Sequence, residues 1–284
     1  HVRFDLIKKK PIWHPKVKMY SVYDKDFGTL LGYFYLDLYM RPGKYNGVAC
    51  FPIQCALTDT VQFSFTQAAL MANFPKNKFK KRSLLTHDAV ISYFHEFGHL
   101  MHQMTCKIRY TIFDGLSTEK DFVEAPSQIL ENMVWDPEVI KKLSCHHQTK
   151  EKMSDELIAN LCLSRNANSS LYYSGQIALS MFDFKIHTSP DINLFDIYKQ
   201  CSEIFLLITP SSGTNFAASF RHVCSGYEAQ YYGYLWSEII ACDIYSSLFK
   251  ADNVFKPETG SMYRKYILEP GSTKNGDELF QNLM

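Results

Sequence analysis

The stretch THDAVISYFHEFGHLMHQMTC, residues 86–106, decides how the rest of the chain is read. Apolar residues recur at Val90, Ile91, Phe94, Phe97 and Met101, the spacing of one helical face. Thr86 stands where an N-cap belongs and Asp88 where an acid suits the first turn, so a helix runs from 86 to about 106. Within it, His95-Glu96-Phe97-Gly98-His99 is an HExxH arrangement. Residues four apart share a helix face, so both imidazoles can address one ion. Glu96 is turned by about 100° from His95, which suits a group that reaches a water on the ion and not a ligand. Zinc hydrolysis needs that division of labour, with an ion that acidifies water and a carboxylate beside it that takes the proton.

A catalytic zinc takes a third protein ligand and keeps an open position. Asp114, Glu119, Asp121 and Glu124 all follow at usable distances, and spacing leaves the four open. Glu124 precedes APSQILE, residues 125–131, the start of a helical pattern that can present it rigidly. Asp121 is placed to orient a ligand from behind. His102 shares the face of His95 and His99 and reads as a packed, hydrogen-bonded histidine. Cys145-His146-His147 reads as an exposed helix-end cluster, with no partners at metal-binding spacing.

Upstream, residues 17–36 alternate apolar and polar around a turn at 24–28, the pattern of a β-hairpin. Residues 37–51 continue extended, broken at Pro42-Gly43, and VQFSFTQAALMANF at 61–74 is strand or helix by periodicity. Pro75 ends it, and the basic run KNKFKKR at 76–82 reads as a solvated loop. Downstream, a second helix is predicted over 121–136, entered or kinked at Pro126. Further helices are predicted within 154–208, with turns at 166–170 and at Ser189-Pro190, then a loop at 209–215 and a long helix over 229–250. Strands first and helices afterwards argue a predominantly helical α+β fold.

Composition narrows the partners. Thirty basic residues against 29 acidic give a formal net charge of +1, too little positive field for a nucleic-acid backbone. No apolar run reaches membrane-spanning length. The eight cysteines form no CxxC pair and no disulfide-scaffold spacing, which points to a reducing, cytoplasmic setting. The chain opens at His1, without a methionine, on the basic segment 7–11 and reads as a piece of a longer protein.

With these residues in view, the chain resembles the thimet oligopeptidase and neurolysin family of zinc oligopeptidases. YFHEFGHLMHQ at 93–103, DFVEAPSQILEN at 121–132, FRHVCSGYEAQYYGYLWSEI at 220–239, FYLDLYMRPGKYN at 34–46 and SSGTNF at 211–216 carry the likeness. The resemblance implies the catalytic lobe of a gluzincin-type metallopeptidase over residues 1–284, with a strand-rich part at 1–75 and a helical, zinc-bearing part at 76–284. It implies one zinc per chain on His95, His99 and Glu124, with Glu96 as general base. His222 and Tyr234 then stabilise the oxyanion, Tyr227 and Tyr231 bind substrate, and residues 67–74 form an edge strand along the cleft. Tyr227, Tyr231 and Tyr234 are spaced four and three, which a helix would turn into one stripe. The implied substrates are short unstructured peptides. Family members are more than twice as long, and the helical lobe facing the catalytic lobe is largely absent from this length. The rival expectation is therefore a weakly active, zinc-containing peptide-binding module. Two departures bear on the site. Cys224-Ser225-Gly226 replaces the usual Ala-Gly-Gly, which removes a hinge glycine, and Ile91 and Lys120 fall where relatives vary near the cleft.

Overall fold

The alternation in the first third of the chain becomes a sheet in the computed structural model, which describes residues 1–8, 11–58, 63–75, 83–250 and 253–284. The expected loop at 76–82 lies outside the described residues. Strands β1 (Val2–Leu6), β2 (Lys18–Asp24), β3 (Leu30–Tyr39), β4 (Ala49–Gln54) and β7 (Thr66–Phe74) form one sheet in the order β1-β2-β3-β7-β4. The short strands β5 (Leu57–Thr58) and β6 (Phe63–Ser64) pair with each other. β2 and β3 are the predicted hairpin, and β3 pairs with β7 in parallel while the other neighbours in the sheet are antiparallel. Alternate side chains serve opposite faces. Phe34 and Ala68 join Val22 against the helical side, whereas Tyr35 and Ala69 join Val17 and Met19 on the other.

The placement of 67–74 is a correction. The segment is a strand, but it lies inside the sheet, not at its edge. After the turn at Pro42-Gly43 the chain returns as β4 and pairs antiparallel with the outer side of β7, so β7 is bonded on both flanks. Six of its nine residues are buried outright, as an interior strand requires, and β4 takes the edge. Pro52 sits within β4, a position only an edge or a bulge tolerates, because proline has no N–H to give to a ladder.

The turn between β3 and β4 holds a buried charge cluster. Asp37 is 1% exposed and receives Arg41 Nη1 at 2.5 Å, Arg41 Nη2 at 2.7 Å and Trp13 Nε1 at 2.9 Å. Lys44 Nζ lies 3.2 Å from the carboxylate and donates to the Asp37, Tyr39 and Ala72 carbonyls. The FYLDLYMRPGKYN stretch is thus the lock that joins β3, its turn and β7. Burial alone would raise the Asp37 pKa, but hydrogen bonds from Arg41, Trp13 and Lys44 outweigh it and hold the group at about 2, against 3.8 ordinarily. A depressed carboxylate stabilises the fold fully above its unfolded pKa and loses that contribution as pH falls through the folded one. The difference corresponds to roughly 2 kcal/mol. Asp37→Asn leaves two cations buried without their anion and should cost about 3–5 kcal/mol. Urea midpoints of the two proteins should differ by a constant amount from pH 5 to 7 and converge below pH 4.

Nine α-helices are seen among the described residues: α1 (His87–Thr105), α2 (Ala125–Met133), α3 (Pro137–Leu143), α4 (Asp155–Ser164), α5 (Ser169–Thr188), α6 (Leu194–Phe205), α7 (Gly233–Ile244), α8 (Pro257–Tyr263) and α9 (Gly276–Leu283). The chain is a helix-rich α+β fold with a small N-terminal sheet, and α1 crosses one face of that sheet through Leu100 and Met104. A second core gathers α2, α7, α8 and α9 around Phe122, Ile129, Ile244 and Leu279. A third joins α5 and α6 to the 216–234 segment. Two expected helices are shorter than predicted. The helix over 121–136 spans Ala125–Met133, with its entry at Pro126 as expected, since a proline lacks the N–H that an earlier start would need. The helix over 229–250 begins only at Gly233, because Ala229 adopts a left-handed φ of 57°. None of the described helices is long and apolar enough to cross a membrane.

Candidate metal centre and tyrosine loop

The helix α1 starts where its cap predicts, with the Thr86 side chain accepting from the Ala89 N–H, and it places His95, Glu96 and His99 in its third and fourth turns. α2 crosses it at Gly98. A Cβ added there would lie 2.5 Å from the Ser127 Cα and 2.8 Å from the Pro126 carbonyl, so only glycine permits this approach. That contact brings the start of α2, where Glu124 stands as N-cap, against the two histidines.

His99 Nε2 lies 3.2 Å from His95 Nε2 and 3.1 Å from Glu124 Oε2, and His95 Nε2 lies 3.3 Å from the same oxygen. Two imidazole lone pairs so close repel unless a proton or a cation lies between them. The edges of a tetrahedron of ligands about 2.0–2.1 Å from a zinc ion are about 3.3 Å long, so the triangle has the size a small divalent ion needs. Among the described residues this is the group of three His, Cys, Asp or Glu side chains whose ligand atoms converge. Glu124 is 3% exposed. Burial pushes its pKa up, but His99 and His95 outweigh that and hold the carboxyl well below its usual range. His95 is pushed down by burial and up by the Glu124 and Glu131 carboxylates, with a net rise to about 10. The site therefore favours positive charge, whether proton or metal.

The rival candidates for third ligand are engaged elsewhere. Asp114 accepts from Leu116 N, Gln103 Nε2 and Cys55 Sγ. Glu119 accepts from Gly276 N, and Asp121 from the Tyr232 hydroxyl. Asp121 consequently orients no ligand. Glu131, which the sequence reading passed over, takes that place, its Oε1 lying 2.5 Å from His95 Nδ1. The Nδ1–H donates to the carboxylate and leaves the Nε2 lone pair facing the cluster. Its sequence signal was its distance from Glu124, seven residues or about two helical turns, on the same face.

His102 is fully buried, and among the described residues neither of its ring nitrogens has a hydrogen-bond partner. The expected packing is present and the expected hydrogen bond is not. The ring sits against Gly115, and burial with the His99 charge pushes its pKa down to about 3. Cys145 and His146 are exposed just past the end of α3, as expected, whereas His147 is half-buried.

The tyrosines meet the cluster from the far end of the sequence. The Tyr227 hydroxyl donates to Glu124 Oε1, and its ring stacks on Tyr234 with centroids 5.0 Å apart. His222 lies 5.7 Å from the Tyr227 ring and 5.6 Å from Tyr234. Burial pushes the His222 pKa down, with Glu124 and Asp183 opposing, and burial pushes those of Tyr227 and Tyr234 up, with the Glu124 charge adding. Both phenols stay protonated and able to donate at any physiological pH. Tyr231 is placed differently. It is 8% exposed, its hydroxyl is bonded to Gln176 at 3.1 Å, and its ring packs on Phe220 in the third core. It backs His222 and Tyr234 and presents no free hydroxyl. The three rings converge through a turn and not along a helical stripe, since Tyr227 and Tyr231 both precede α7.

α7 is pinned beside the cluster. Gln128 Nε2 donates to the Tyr234 carbonyl at 2.9 Å, Ser237 Oγ to the Asp121 carbonyl at 2.7 Å, and a Cβ on Gly233 would come within 2.4 Å of the Lys120 carbonyl. Lys120 Nζ lies 4.7 Å above the Tyr227 ring. Cys50 Sγ of β4 lies 3.7 Å from Gln103 Oε1, so the sheet edge passes beside α1. Ser225, where the resemblance implies a glycine, has an ordinary φ of −139°, while the left-handed position falls on Gly226 at 96°. The substitution imposes no strain. A cavity of about 740 Å³, lined by Trp135, Arg165 and Tyr245 among others, includes none of these residues in its walls.

The chain is 37% identical to a thimet-like oligopeptidase of Dictyostelium discoideum, across 100% of its own length and 43% of the relative's. It is 35% identical to saccharolysin of Saccharomyces cerevisiae, over 93% of this chain and 38% of that one. Oligopeptidase A of Escherichia coli is 33% identical over 96% and 41%. The chain thus spans about two fifths of the length of the curated relatives it matches. In fold it is similar to the solved structure of PZ peptidase A with inhibitor 2, with a TM-score of 0.60 at 14% identity, covering 87% of this chain and 39% of that one. The family model for peptidase family M3 matches residues 1–284 from end to end, and the chain belongs to that family.

Proposed function

We propose that residues 1–284 are the catalytic region of a gluzincin-type zinc endopeptidase that hydrolyses short, unstructured peptides. One observation carries the reading, the convergence of His95 Nε2, His99 Nε2 and Glu124 Oε2 to mutual distances of 3.1–3.3 Å beside Glu96. The oligopeptidase names of the relatives support the substrate class. When bound, zinc would supply Lewis acidity and bring the pKa of a water toward neutrality.

The chain's own residues do the rest. Glu96 takes the proton of the attacking water and hands it to the departing amine. Tyr234 and His222 donate to the oxyanion as it develops, His222 as a neutral imidazole because burial lowers its pKa. Tyr227 holds Glu124 and flanks the bound peptide, while Tyr231 fixes the rings behind it. Glu131 keeps His95 in the tautomer that addresses the metal. An extended peptide adds to the free edge of β4 through backbone hydrogen bonds that read no side chain, which suits broad sequence tolerance. All eight cysteines are free, which supports a reducing compartment.

The test is metal content together with cleavage of a quenched fluorescent peptide, with and without a chelator. One zinc per chain and hydrolysis abolished by chelation are expected. Zinc-loaded protein that binds peptides without cleaving them would establish the rival reading, a binding module. Glu131→Gln removes the carboxylate behind His95 and should weaken zinc affinity by about 10–100-fold in competition with a chelating dye. Unchanged affinity would detach Glu131 from the site.

A further inference from the structure

Asp183 is a buried carboxylate to which the mechanism gives no task. It lies on α5, is 1% exposed, and faces the loop that delivers the tyrosines. Its Oδ1 accepts from the Ala229 N–H at 3.1 Å and its Oδ2 from the Tyr231 N–H at 3.0 Å. His187, one turn along the same helix, approaches Oδ1 at 3.0 Å. The loop needs such an anchor. Gly226 and Ala229 are both left-handed, with φ of 96° and 57°, so 226–231 cannot borrow the repeating bonds of a helix. An alanine held there is strained and persists only where its surroundings enforce it. Two amides converging on one charged carboxylate supply that enforcement, since charge-assisted hydrogen bonds are about twice as strong as neutral ones.

We infer that Asp183 is the positioning residue for the tyrosine loop. By clamping the Ala229 and Tyr231 amides it fixes the turn that sets the Tyr227 hydroxyl on Glu124 and stacks Tyr227 on Tyr234. This rests on the function proposed above, in which those hydroxyls serve the reaction. Asp183→Asn keeps the size of the side chain but turns one acceptor into an NH2 group that faces a backbone N–H. The loop loosens and Tyr227 lets go of Glu124 Oε1, while the three converging ligand atoms, carried by α1 and the start of α2, keep their places.

The test has two arms. In amide exchange by NMR, Ala229 and Tyr231 should be protected in the unaltered protein and exchange at least 10-fold faster in Asp183→Asn. The loss should be confined to 226–231, with zinc content unchanged. Absence of protection in the unaltered protein overturns the assignment whether or not the variant folds, and loss spread over the whole molecule or loss of zinc overturns it too. In the kinetic arm, Asp183→Asn should lower kcat about 10–100-fold with little change in KM, and Tyr234→Phe should cost at least 10-fold less in that background than alone. Equal costs in both backgrounds overturn the assignment. If Tyr234→Phe costs nothing even alone, the oxyanion reading has failed instead, and Asp183 is decided by the exchange arm.

Discussion

Glu96→Gln should keep its full complement of zinc and lose about 10²–10⁴ of its peptide hydrolysis, the contribution of a general base. Zinc is retained because Glu96 is outside the group of converging ligand atoms, and glutamine keeps the size of the side chain. Hydrolysis falls because an amide cannot take the proton of the attacking water. Metal analysis beside kcat/KM on one peptide reads both halves. Loss of zinc would make Glu96 a ligand, and undiminished cleavage would rule out water activation by this group.

Tyr234→Phe removes one hydroxyl and keeps the ring stacked on Tyr227 and against His222. If that hydroxyl donates to the oxyanion, kcat should fall by about 10²–10³ while KM stays close to its original value. A rise in KM with kcat intact would show that the group binds substrate and transition state alike. Tyr231→Phe is the internal contrast, because its hydroxyl is committed to Gln176, and the loss there should be much smaller.

Periodicity and the HExxH spacing made α1 legible before any coordinates, since one helix supplies both histidines and the geometry is local. Glu124 was not legible in that way. Four acids were available, and the choice came from the resemblance. The fold explains it through Gly98, whose missing side chain lets α2 bring Glu124, and none of its rivals, to the histidines. Glu131 escaped because its partner, His95, lies 36 residues upstream, beyond any local pattern. The interior position of β7 escaped for a similar reason, since a strand's own residues do not say which strand flanks it, and β4 arrives by a return through Pro42-Gly43. The helix expected from 229 failed on tertiary grounds. Alanine is the best helix former, yet Ala229 stands at a left-handed φ with its N–H bonded to the carboxylate of Asp183 on another helix.

The order of these parts along the chain carries a consequence for biosynthesis. The sheet, α1 and α2 all precede residue 134, and with them come His95, His99, Glu124 and Glu131. Tyr227 and Tyr234 emerge roughly 100 residues later, a delay of about 5–20 s at ribosomal speeds. A nascent chain can therefore complete its histidine–glutamate triangle well before the donors it needs for turnover have left the ribosome. On the function proposed above, metal acquisition and catalytic competence are separated in time by the order of the chain, and the second waits on a loop that α5 must already be in place to receive.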